Sequence, residues 1–131
     1  MIKNESEKDI QKNSNGEKVC DLNYLTEMMG GKKSLIKEIM DVFLKQIPEE
    51  LQSINDAITK TDYATIKKFA HTMKSSVSIM SVSILTPVLQ EMEDLGARAI
   101  DIEQIKQLNQ KLNLICKQAL EEIEREKLNF V

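Results

Sequence analysis

Apolar residues return along this chain at steps of three and four, the spacing that lines one side of a helix. The longest such run lies between Lys32 and Lys60, where Leu35, Ile39, Phe43, Ile47, Leu51, Ile54 and Ile58 form the expected stripe. At 1.5 Å per residue this helix would be roughly 40 Å long. Pro48 falls inside it, removes one backbone donor and crowds the carbonyl of Leu44, so a kink is expected rather than a break. Ahead of it, Asp21 caps a short helix with Leu22, Leu25 and Met29 on one face, stopped by Gly30-Gly31. Behind it, Thr61 or Asp62 caps a third helix that runs to Met80. A fourth begins between Ser81 and Pro87, carries Leu85, Val88, Met92 and Leu95, and ends near Gly96. A fifth follows Asp101 with Ile105, Leu108, Leu112, Ile115, Ala119 and Ile123.

Short connections between long amphipathic helices favour antiparallel neighbours. The expected fold is therefore all-α, an antiparallel up-down four-helix bundle with a short extra N-terminal helix packed across one end. Residues 1–19 follow no period and read as a flexible N-terminal tail. Residues 20–127 form the helical bundle domain, and residues 128–131 a frayed C-terminus.

Composition narrows the class further. Four glycines, two prolines and no tryptophan in 131 residues leave little turn chemistry for a sheet. A net charge of −3 lacks the basic excess of a nucleic-acid surface, and no apolar run reaches the roughly 20 residues that span a bilayer. The expectation is a cytoplasmic monomer with no nucleic-acid or membrane partner. Cys20 and Cys116 are far apart in sequence and read as free thiols, with no metal and no cofactor implied. Acidic pairs such as Glu49-Glu50 and Glu121-Glu122 read as solvated faces.

The remaining chemistry gathers around the single histidine, in the run His71-Thr72-Met73-Lys74-Ser75-Ser76. On a helical wheel with His71 at zero, Phe69, Met80, Met73, Ile66, Val77, Ala70 and Tyr63 occupy an arc from about 160° to 280°. That arc is the expected core, and the imidazole lies outside it. Lys67, Lys68, Lys74, Ser75 and Ser78 share its polar sector, and Ile79 is the one large apolar residue off the core arc. An exposed histidine is ordinarily just surface. Here the small Ser75 and Ser78 leave the ring standing above its surroundings, and the lysines supply charge for a phosphoryl group or an acidic partner. Ser75, one turn on, is also within reach for a serine-histidine pair, though no oxyanion-stabilising loop accompanies it.

Ala70-His71-Thr72-Met73-Lys74-Ser75-Ser76 resembles the Ala-His-Thr-Leu-Lys-Gly-Ser pattern of the histidine-containing phosphotransfer (HPt) domains of phosphorelays. Asp21-Leu22-Asn23-Tyr24-Leu25, Gly30-Gly31, Phe43-Leu44 with Pro48 and Leu51, Asp62-Tyr63, and Leu89-Gln90-Glu91-Met92-Glu93 extend the likeness from about Asp21 to Arg125. The resemblance implies a phosphorelay intermediate without kinase activity of its own. His71 would be the phospho-acceptor, exchanging a phosphoryl group with receiver-domain aspartates, and Lys74 would stabilise its charge. The partners implied are receiver domains of response regulators and hybrid sensor kinases, docking over Lys67, Lys68, Thr72, Ser75, Ser78 and Ile79. Magnesium would come from the receiver's acidic pocket. Ser75 and Ser81 stand where the family usually has glycine and Ile79 where a polar residue is frequent, departures that bear on rate and partner choice. The alternative is a non-catalytic helical adaptor or inhibitor that docks a receiver without turnover.

Overall fold

The computed structural model describes residues 18–130 and is all-α throughout them. Helix α1 spans Leu22–Met28, α2 Lys33–Thr59, α3 Tyr63–Ile79, α4 Thr86–Arg98 and α5 Ile102–Lys127. Short 3-10 turns at Ser83–Leu85 and Leu128–Phe130 precede α4 and follow α5. Each long helix touches its neighbours in a ring, α2 on α3, α3 on α4, α4 on α5 and α5 back on α2. Asp41 pairs with Lys127 while Asn55 bonds Asn109 and Asn113, so α2 and α5 run antiparallel. Their shared side carries partly buried asparagines that the apolar pattern does not announce.

The core follows the expected periods with one slip. Ile66, Ala70, Met73, Val77 and Met80 are buried on α3, and Phe69 and Tyr63 are partly buried beside them. On α2 the buried stripe starts at Ile36 and Met40, whereas Leu35 is exposed and Ile39 only partly buried. The expected run 35-39-43-47-51 takes four successive steps of four, each drifting about 40° around the helix, and so walks off the core. Mixing steps of three and four through 36, 40, 43, 47, 51, 54 and 58 keeps the stripe facing one way. Helix α2 passes through Pro48 without a break. Leu89 and Val82 join the core beside the expected residues of the fourth segment.

Asp21, Asp62 and Asp101 each accept a backbone N–H one turn on and start α1, α3 and α5. The stops are just as regular. After α1, α2, α3 and α4, paired backbone bonds close the last turn around a left-handed residue: Gly30, Thr61, Ser81 and Ala99. Glycine fills only the first of these, although a left-handed φ is costly for the others.

Residues 1–17 of the expected tail lie outside the described residues. Lys18 and Val19, assigned to the same tail, are instead tied down. Glu122 is buried, and its two carboxylate oxygens accept the backbone N–H groups of Val19 at 2.6 Å and Cys20 at 3.0 Å. This corrects the solvated-face reading of Glu121-Glu122: three residues after Ala119, position 122 falls on the core side of α5. Lys18 reaches Glu126 at 3.2 Å, one turn further. Cys20 and Cys116 are buried free thiols. Burial pushes both thiols up, Cys116 to about 12. At the other terminus, residues 128–130, expected to fray, form the final 3-10 turn, with Leu128 exposed.

Candidate functional site

The side chain of His71 is 69% exposed on the outer face of α3, the orientation the wheel predicts. Ala70 and Met73 beside it point fully inward, so the core itself fixes the rotation of α3 that turns the imidazole outward. Helix α4 then brings a carboxylate to the ring. Glu93 Oε2 lies 2.9 Å from His71 Nδ1, and Glu93 Oε1 lies 2.7 Å from the ammonium of Lys74. Lys74 also donates to Gln90 Oε1 at 2.8 Å, and Gln90 in turn donates to Asp94 at 3.0 Å. One acidic residue thus joins the histidine and the lysine singled out from the sequence.

The electrostatics assign the proton. Glu93 is only 16% exposed, and the ammonium of Lys74 beside it, aided by the hydrogen bond from His71, holds its carboxyl below the usual range. An ionised carboxylate accepts but does not donate, so Nδ1 carries the hydrogen in this contact. In the neutral ring the lone pair is then on Nε2, for which the described residues provide no hydrogen-bond partner.

The α3/α4 pairing that builds this contact is antiparallel and in step: Lys74 meets Gln90, His71 meets Glu93, and Lys67 meets Gly96 one turn below. Gly96 is buried, and a Cβ placed there would stand 3.1 Å from the backbone nitrogen of Lys67 and from the carbonyl oxygen of Tyr63.

The other expected site residues form surface around the ring. Lys67, Lys68, Thr72, Ser75, Ser78 and Ile79 are all exposed. Lys68 sits 5.4 Å above the Phe69 ring, and the Thr72 hydroxyl turns back to the Lys68 carbonyl at 3.0 Å. Ser78 lines a shallow polar cleft with Asp21, Tyr24, Ser81, Ser83 and Thr86, so α1 borders the same face. Ser75 makes no bond to His71 among the described residues, which leaves the serine-histidine pair unassembled. Glu93 and Gln90 entered the sequence reading only as part of a family likeness. The signal for Glu93 was its place beside Met92, one step off the core stripe of α4 on the flank that α3 covers.

Comparison with known proteins bears on the family and the fold of the chain. Residues 38–126, well over half of the chain, match the family model described as the Hpt domain. The crystal structure of histidine-containing phosphotransfer protein B (HptB) from Pseudomonas aeruginosa PAO1 superposes with a TM-score of 0.77 at 18% identity. That match covers 84% of this chain and 95% of the other, and at this identity it is a likeness of fold. No curated protein matches the chain.

Proposed function

This chain belongs to the Hpt domain family, histidine phosphotransfer modules of phosphorelay signalling, and from that premise we propose His71 as the residue that carries the phosphoryl group. The observation that supports His71 most directly is the His71–Glu93 contact on an otherwise open face. With Nδ1–H given to Glu93, Nε2 presents its lone pair to solvent, where a receiver's aspartyl phosphate can approach in line. Nε2 bonds to phosphorus as the phosphorus–oxygen bond to the aspartate breaks, and the aspartate leaves as a carboxylate. The Nδ1 proton stays on the ring, where Glu93 offsets the positive charge that develops. An acyl phosphate is already reactive, so the module supplies presentation rather than a separate base.

Lys74 is the second residue of the proposed site. Its ammonium, 24% exposed and one turn from His71, lies close enough to offset phosphoryl charge once it exchanges Gln90 or Glu93 for the new oxygens. Hpt domains work with receiver domains, and the specific partners here would be receivers of response regulators and hybrid sensor kinases, meeting the face of Lys67, Lys68, Thr72, Ser75, Ser78 and Ile79. The module has no kinase activity of its own and acts as a monomer in the cytoplasm. The proposal is tested by mixing the protein with a phosphorylated receiver domain and following acid-labile, base-stable phosphate. Transfer to wild type and none to His71→Gln is expected. Tight receiver binding with no phosphohistidine would replace this reading with that of a docking adaptor.

A further inference from the structure

We infer that Gly96 is a positioning residue for phosphotransfer: by letting α4 rest directly on the backbone of α3, it sets the distance at which Glu93 holds His71. The inference rests on the proposed role of His71 and adds a residue that touches neither the ring nor the phosphoryl group.

Three observations carry it. The contact at Gly96 is against backbone, the nitrogen and Cα of Lys67 and the carbonyl of Tyr63, at 3.1 to 3.2 Å from where a Cβ would stand. Backbone inside a packed helix cannot swing aside as a side-chain tip can, so any side chain at 96 has to be met by a few tenths of an ångström of separation between the helices. Glu93 lies on the same helix one turn away, and Lys67 lies one turn before His71 on α3, so the separation is felt where the two residues meet. Finally, the carboxylate is held from two sides. It already bridges two partners at 2.9 and 2.7 Å, so a retreat of α4 lengthens one of those contacts. The contact to the ring is the directional one, a hydrogen bond, whereas the contact to Lys74 is an ion pair that tolerates a change of angle, so the loss is of the Nδ1–H arrangement.

Gly96→Ala is therefore expected to lower the rate of transfer from a phosphorylated receiver by about threefold, a modest share of what a full ångström of misplacement costs. Nitrogen NMR of the imidazole should show a smaller Nδ1–H population in the same variant. Because Gly96 acts through Glu93, Gly96→Ala placed on Glu93→Ala, which removes the acceptor that a glutamine would keep, should slow transfer no further than Glu93→Ala alone, whereas a purely structural glycine would give effects that multiply. Wild-type tautomer and rate in folded Gly96→Ala, or multiplying effects in the double variant, would overturn the inference. If Gly96→Ala does not fold, Glu93→Asp carries the test, since it withdraws the carboxylate by one methylene with the helix spacing untouched. Unchanged tautomer and rate there would overturn the inference equally. Failure of the wild type to accept phosphate would instead sink the functional proposal, while the NMR comparison would still decide the role of Gly96.

Discussion

Glu93 and Glu122 each hold two partners, and they do opposite things. Glu93 sits at the rim of an exposed face between a histidine and a lysine, and Glu122 sits inside the bundle against two backbone N–H groups. The partners of Glu93 are side chains at the surface of the bundle, so the contact orients groups without adding much to stability. The partners of Glu122 are main-chain donors, that of Cys20 buried and that of Val19 partly so, and the contact anchors the start of the domain to its last helix. A carboxylate's surroundings, and not its presence on a helix, decide whether it serves the chemistry or the fold.

Removing each one should expose that contrast. Glu122→Ala leaves the N–H groups of Val19 and Cys20 without their acceptor, and we expect a loss of about 2 kcal/mol in urea unfolding, with faster amide exchange at both residues. Phosphotransfer below the melting range should be untouched. Glu93→Gln should do the reverse, slowing transfer about tenfold, equivalent to about 1.4 kcal/mol, with unfolding free energy changed by no more than about 0.5 kcal/mol. The pH dependence sharpens this arm. Since the Glu93 carboxyl is lowered from 4.5 in the folded protein, its contribution is present above that value and lost as the pH falls through the lower folded one. Glu93→Gln should flatten that part of the acid unfolding profile, and an unaltered profile would count against the contact. The smallest effect lies away from both glutamates. Ala99, left-handed with φ of 53° at the end of α4, is expected to gain up to about 1 kcal/mol when replaced by glycine, with transfer unchanged.

The helices and the outward direction of His71 were legible because each depends on the periodicity of a single segment. The α2 stripe slipped at Leu35 and Ile39 because apolar residues sit side by side at 35-36 and 39-40, and only their phase against the rest of the helix tells which of each pair faces inward. Glu93 could not be assigned from α3 alone, since its meeting with His71 depends on the stagger between two helices, a quantity that neither wheel contains. Glu122 was readable in principle from its place on the core face of α5, but an acidic pair near a terminus looks solvated until the backbone it caps is in view. The departures from the family pattern divide in the same way. Ser81 turns out to hold a backbone position with φ of 55°, while Ser75 lies on the open face beside His71.

The buried thiols have a practical consequence. The chain has two cysteines, both enclosed in the core and held protonated, so the native surface is silent toward thiol-directed reagents. A single cysteine introduced at Ser75 or Ser78 would then be the one that reacts, without first removing Cys20 or Cys116. A fluorophore or spin label attached there would stand on the rim of the histidine face and report a receiver's arrival in real time, independently of whether phosphate moves.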